Sequence, residues 1–267
     1  MSPKDPYFDE DGQPILRDSF FAFTDILGFR EAMKAAHQDN REDELLGKLT
    51  GALNEVREVV DWRATSNAFK GEVIYWQHKF FTDNLVIGYP IFDDTGESEF
   101  GHIISMLQWT QLLMAQKGLF LRGGLGYGRV HVGPDIVVGM PLLNAYEVEQ
   151  NVARWPRIVL CEAAMQKVTE HLGYYVNSSW APQNRELLVD SDGEVFVNYI
   201  EAAWVDWDVV IWDAIARHRD AVERCLDHCE DQEDIRKKYT SVAQYHNYFC
   251  GMFKDHLAAC RRTSWRS

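Results

Sequence analysis

The run Phe20-Phe21-Ala22-Phe23-Thr24 carries almost no polar atoms until it meets Asp25, and Ile26-Leu27-Gly28-Phe29 follows at once. A short apolar run of this kind reads as a buried strand, and its abrupt end reads as a strand-to-helix junction. A second junction has the same character. Asp83 lies in Thr82-Asp83-Asn84, between an apolar stretch over 73–81 and Leu85-Val86-Ile87-Gly88-Tyr89. That pattern predicts a hairpin over 72–90 with Asp83 at its tip. Each carboxylate therefore sits where a strand stops.

The rest of the chain supplies elements that fit around such a sheet. Residues 1–18 are polar and contain Pro3, Pro6 and Pro14, so they read as a flexible N-terminal arm. Helical spacing runs over 29–38 and again over 42–62, where Leu45, Leu46, Leu49, Leu53, Val56 and Val60 recur on one face. A further helix is expected from His102 to Gln116, a strand over 119–132, and a short partner at Ile136-Val137-Val138. Pro141 suits the first turn of a helix reaching Ala153, and Arg157-Ile158-Val159-Leu160 reads as a last core strand. This order gives an α/β (α+β) fold with a mixed sheet and helices largely on one face, in a core spanning 19–175. Residues 176–267 add a hairpin across Asp192-Gly193 and a helical pair broken near Asp231, packed on that core.

Composition narrows the chemistry. With 267 residues the chain has room for one large domain or a domain with an appendage. A formal charge of -14 argues against a nucleic-acid surface, and a protein of this charge handles a polyanion only through bound cations or local arginines. Five cysteines without paired spacing point to reduced thiols in a cytoplasmic setting. No stretch is long and apolar enough for a membrane helix, and Met-Ser-Pro-Lys-Asp-Pro is no signal peptide.

Taken singly, Asp25 is an ordinary helix cap and Asp83 an ordinary turn residue. On neighbouring strands they can share hard divalent cations, with a nucleoside triphosphate completing the coordination. The third piece is Leu121-Arg122-Gly123-Gly124-Leu125-Gly126-Tyr127-Gly128, which has no P-loop ending. Its glycines mark a close approach by a ligand or by another chain, or a bent strand packed under a helix. Cys225 and Cys229, with His218 and His228 nearby, lack a second ligand pair for zinc, and His131 reads as structural.

In combination these segments resemble the class III nucleotidyl cyclase catalytic domain. Phe23-Thr24-Asp25-Ile26-Leu27-Gly28-Phe29 is similar to the family's Phe-x-Asp-x-x-Gly-Phe, and Phe81-Thr82-Asp83 to its second metal aspartate. Leu121 to Gly128 is similar to its Arg-x-Gly-x-x-x-Gly strand, and Gly139 to Glu149 occupies its following helix. Leu143 to Glu149, Ala153 to Ile158 and Asp192 to Tyr199 further resemble the bacterial pyrimidine cyclases of the Pycsar antiphage system. The resemblance implies a ferredoxin-like core and a metal-dependent conversion of UTP or CTP to a cyclic nucleotide and pyrophosphate. It implies two Mn2+ or Mg2+ ions held by Asp25, Asp83 and the Ile26 carbonyl, and outer phosphates on backbone N–H groups of Leu27, Gly28 and Phe29. It implies a homodimer with composite sites, and a downstream effector reached through the product. Gln77 stands where adenylyl members carry a base-reading Lys, so it would face the base. Asn144 matches the transition-state Asn, but the Arg expected four residues later is Val148, leaving Arg154 or Arg157 to supply positive charge. The rival expectations are a catalytically inactive cyclase-like nucleotide-binding or interaction domain, an adenylate cyclase, and, less favoured, a diguanylate cyclase.

Overall fold

A computed structural model describes residues 5–66, 77–133, 135–206, 209–229 and 232–252. The strands are β1 (Arg17–Ile26), β2 (Gln77–Phe81), β3 (Asn84–Pro90), β4 (Leu121–Val132), β5 (Val137–Gly139), β6 (Ile158–Leu160), β7 (Leu187–Val189), β8 (Val195–Val197), β9 (Trp204–Asp206) and β10 (Val209–Val210). The helices are α1 (Phe29–Gln38), α2 (Glu42–Ser66), α3 (Glu97–Gln116), α4 (Met140–Asn151), α5 (Glu162–Leu172), α6 (Gln183–Glu186), α7 (Trp212–His228) and α8 (Glu233–Met252).

The main sheet runs β2-β3-β1-β4-β6-β8-β7, with β5 pairing off β4. The first four strands pair antiparallel and are joined as β1-α1-α2-β2-β3-α3-β4, the ferredoxin-like arrangement. β6 pairs parallel to β4, which makes the sheet mixed, as expected. The hairpin over 187–197 is no separate appendage, because Phe196 of β8 pairs with Val159 of β6 and lengthens the core sheet. Beyond it, α7 and α8 pack with Leu112, Phe120 and Val159 in a second apolar cluster.

Strand alternation divides the sheet into two working faces. Phe20, Ala22, Leu125 and Ile87 point toward α2, α3 and α5 and form the larger core. Phe21, Phe23, Val86, Val130 and Val132 point the other way, against Tyr7 and Ala145 of α4. The expectation of helices largely on one face holds for α2, α3 and α5, while α4 covers the opposite side. The expected flexible arm is also corrected within 5–18: Tyr7 is fully buried and its hydroxyl donates to Ser19 at 3.0 Å, while Arg17 and Asp18 already belong to β1. A single buried tyrosine with a satisfied hydroxyl is enough to anchor a polar segment.

Two boundaries differ for local reasons. α3 starts five residues earlier than its apolar spacing suggests, because Asp93 Oδ1 accepts the N–H groups of Thr95 and Gly96 and turns the chain into the helix. Glu97 and Glu99 in its first turn complement the helix dipole while carrying no apolar signal. The stretch 72–76 of the expected first hairpin lies outside the described residues.

Candidate active site

Asp25 closes β1 and pairs across the sheet with Asn84 on one side and Arg122 on the other. The Ile26 N–H donates to the Asp83 carbonyl at 3.0 Å, so the hairpin tip is stitched to the end of β1. This sets Asp83 beside Asp25, near enough that the Asp83 carboxyl helps to raise the Asp25 pKa. Thr82, in the left-handed region at φ 56, donates its hydroxyl to Asp83 Oδ1 at 2.7 Å, and the Asn84 amide donates to the same oxygen at 3.1 Å. The two sequence-identified carboxylates thus lie side by side, one near the end of β1 and one in the turn that leads into its neighbour β3.

Arg122 and Glu149 complete the cluster, and sequence reasoning did not assign either a role there. Arg122 donates through Nε and Nη2 to Asp25 Oδ2, at 3.3 and 3.2 Å. The same Nη2 lies 2.7 Å from Glu149 Oε1, on a side chain with no exposed surface. Burial first, and then the Glu149 carboxylate, push Asp25 up to about 7 even though the Arg122 guanidinium pulls it down; Asp83 adds to the rise. Burial likewise raises Glu149 against the pull of Arg122. The carboxylates of Asp25 and Glu149 face one guanidinium, and with Asp83 nearby they leave surplus negative charge in partly desolvated surroundings.

Glycines explain how Glu149 reaches this point. A Cβ added at Gly124 would lie 2.5 Å from the Ala145 carbonyl oxygen, and one at Gly126 would lie 3.0 Å from that of Pro141. The glycine-rich strand is therefore covered by its own helix, so of the expected close approaches it is the packed helix that occurs. Pro141, Ala145 and Glu149 advance by one turn each, about 6 Å. Gly126, Gly124 and Arg122 advance by two strand residues each, about 6.6 Å. Seating Ala145 on Gly124 delivers Glu149 to Arg122. The signal was present in the sequence as this matched spacing on two elements.

After Asp25 the chain turns through Gly28, at φ 75, into α1 without a side-chain cap. The Leu27 N–H is already donated to the Phe120 carbonyl at 2.9 Å, which corrects its expected part in phosphate binding. The N–H groups of Phe29, Arg30 and Glu31, which have no acceptor within the helix, form the open end beside Gly28. Two carboxylates and the Ile26 carbonyl are hard oxygen donors suited to Mg2+ or Mn2+, which characteristically take one or two carboxylates and fill the remaining positions with phosphate and water oxygens. The surplus negative charge around Asp25 fits such a cation as well. Among the described residues there is no group of three or more His, Cys, Asp or Glu placed to hold a metal by itself.

The remaining expected residues lie elsewhere. Gln77 opens β2 opposite Gly88, which in turn pairs with Phe21, four residues back from Asp25. Strand geometry puts it two strands across and about 16 Å from Asp25; its side chain, with Tyr75 and Trp76, lies outside the described residues. Asn144 lines a cleft of about 560 Å3 on the outer side of α4, with Glu147, Asn151, Cys161 and Glu162. Arg154 is exposed and forms an ion pair with none of the described carboxylates. Arg157 is fully buried and pairs with Asp190 and Asp192, so its expected availability for catalysis is corrected to a structural role. His131 is buried and structural, its Nδ1 donating to the Ile15 carbonyl at 3.0 Å. His218 is buried between Tyr199 and His246, away from any zinc arrangement with Cys225 and Cys229.

No helix among the described residues is long and apolar enough to cross a membrane. No protein-family model matches the chain, and no curated protein matches it. Among solved structures, the guanylyl cyclase Cya2 aligns at 13% identity and a TM-score of 0.42, over 57% of this chain and 78% of that one. A class III adenylyl cyclase-like ATP-binding protein from Pseudomonas aeruginosa aligns at 13% identity and a TM-score of 0.48. That alignment covers 84% of this chain and 48% of the other, so the chain spans about half the length of that protein.

Proposed function

We propose that this chain is a metal-dependent nucleotidyl cyclase of the class III type, acting on a pyrimidine nucleoside triphosphate, with UTP favoured. The observation that carries the reading is the placement of Asp83 beside the end of β1, where the Ile26 N–H donates to its carbonyl and Asp25 pairs with Asn84, next to the uncapped start of α1. Bound Mg2+ or Mn2+, as two ions, would lower the pKa of the ribose 3′-hydroxyl and neutralise charge on the triphosphate. Asp25, Asp83 and the Ile26 carbonyl would hold the ions, and the backbone N–H groups at Gly28 and Phe29 would meet the outer phosphates. The products are a 3′,5′-cyclic nucleotide and pyrophosphate.

A homodimer with composite sites accounts for the residues that stand apart. Gln77 and Asn144 would act on a nucleotide held by the partner's Asp25. Ile136, Val138, Met140, Leu143 and Tyr146 leave a largely exposed apolar strip along β5 and α4, beside the cleft of Asn144, and this supports pairing there. Gln77 offers both a donor and an acceptor to a pyrimidine edge, and a mismatched base would leave those groups unpaired. The antiphage role and the separate effector of the cyclic nucleotide extend from the motif resemblance, and the cytoplasmic setting from the cysteines without paired spacing. A second reading, nucleotide binding without turnover, draws on Val148 and on the commitment of Arg157 to Asp190 and Asp192.

The test is product formation from each of the four ribonucleoside triphosphates at matched concentration with Mn2+. The expected result is fastest turnover of a pyrimidine, abolished by Asp25→Ala or Asp83→Ala in folded protein. ATP or GTP as the best substrate refutes the base assignment, and near-normal activity in either variant refutes the metal pair. Binding without any product favours the second reading.

A further inference from the structure

Arg122 has a geometry that neither the strand nor the helix around it requires for folding alone. It stands directly opposite Asp25 on β4, donates twice to one oxygen of that carboxylate, Oδ2, and turns the same Nη2 to Glu149 on α4. Its side chain is 21% exposed and that of Asp25 is 18% exposed, whereas that of Glu149 has no exposed surface. An isolated charge is costly at such a depth, so each member of the trio depends on the next.

We propose that Arg122 and Glu149 act as a positioning pair for the metal carboxylate, and that they tie the setting of α4 to the site at Asp25. The inference rests on the metal reading given above. Arg122 engages Oδ2 and leaves the rest of the Asp25 carboxylate for Asp83 and for a cation. A guanidinium donating through two nitrogens to Oδ2 holds that one oxygen in place more firmly than a single ammonium contact would. A bare guanidinium so near would repel a dication. Glu149 supplies the compensating charge, so Arg122 can orient Asp25 without lowering the site's attraction for metal. Since Ala145 rests on Gly124 one turn before Glu149, any displacement of α4 along the strand changes how well that charge is compensated. The exposed apolar strip lies on this same helix and on β5, so a partner docking there would bear on the metal site through Glu149.

The experiment measures Mn2+ binding directly, by the loss of free-ion electron paramagnetic resonance signal, on full-length wild type, Glu149→Gln, Arg122→Met and the double variant. Glu149→Gln leaves the guanidinium uncompensated, and Mn2+ affinity is expected to fall about tenfold. In the Arg122→Met background the same change is expected to have no weakening effect, because the repelling charge is gone. A purely structural role for Glu149 would lower stability in both backgrounds and leave Mn2+ affinity of the folded protein unmoved. Should Glu149→Gln not fold, Arg122→Lys keeps the charge and loses the two-nitrogen contact to Oδ2, and is expected to weaken Mn2+ binding severalfold. Unchanged Mn2+ affinity in the folded Glu149→Gln or Arg122→Lys protein overturns the inference, as does a loss that persists without Arg122. Asp25→Ala separates this failure from that of the metal reading. Wild type that binds no Mn2+, or Asp25→Ala that binds it equally well, sinks both.

Discussion

Replacing Gly124 with alanine tests the seat of α4 with a single methyl group. The added Cβ would stand 2.5 Å from the Ala145 carbonyl oxygen and 2.7 Å from its Cα, where ordinary contact begins at 3.4 Å. The obstacle is backbone, so no rotamer change relieves it. The helix must retreat by the difference of 3.4 and 2.5 Å, which is 0.9 Å, or the strand must yield by as much. Overpacking of this kind costs about 1–3 kcal/mol. At roughly 3 °C per kcal/mol for a chain of this size, the thermal midpoint should fall by about 3–9 °C. Gly101 provides a control of opposite sign. It lies inside α3 and an added Cβ meets nothing within 4 Å, so Gly101→Ala should stabilise by about 0.5–1 kcal/mol through lower unfolded-state entropy. Thermal unfolding followed by circular dichroism reads both variants. A Gly124→Ala protein as stable as wild type would show that α4 is not seated on this glycine, and the packing argument for Glu149 would go with it.

Mixing Asp25→Ala chains with Asn144→Ala chains should restore part of the activity that each lacks alone, and verified heterodimers without recovery refute composite sites. Glu186 is pushed up to about 7 from its usual 4.5, first by burial and then by Glu201, with Arg185 opposing. The native state therefore holds a proton that the unfolded chain has lost, and this contribution to stability fades as pH rises from about 4.5 to 7. Glu186→Gln should remove that loss, gaining up to about 3 kcal/mol over wild type at pH 8 and little at pH 4 in urea titrations; equal gains at both pH values refute it. Arg157→Met should cost about 3 kcal/mol of stability by unpairing a buried cluster, with kcat of the folded enzyme little changed. A selective collapse of kcat at unaltered stability would return Arg157 to the chemistry.

How much of this was legible in the sequence depended on range. Asp25 and Asp83 could be found because each interrupts an apolar run, a signal carried by its immediate neighbours. The strand order around them was reachable through the order of elements. Leu27 was misjudged because the acceptor of its N–H, the Phe120 carbonyl, lies 93 residues away, and nothing local reports that bond. Arg157 was misjudged for a similar reason, since its partners Asp190 and Asp192 come from a hairpin that reads as an appendage. Tyr7 sits among prolines and acids, and only the sheet it enters reveals it as core. Glu149 was hidden differently. Its meaning lies in the agreement between a helical repeat and a strand repeat, and neither segment carries that agreement alone.

That agreement leaves α4 very few places to stop. Sliding it by one turn toward the Gly126 end would bring Glu149 over Gly124, where the lane has no charge to meet it, and would leave Arg122 with Asp25 alone. Sliding it the other way would set Ala145 against a guanidinium. Intermediate positions drive side chains into a strand that has room for them only at its glycines. Small displacements of this helix therefore meet steric resistance as well as a loss of charge compensation. The same lane of glycines that admits the helix thus also fixes its register against the acidic cluster.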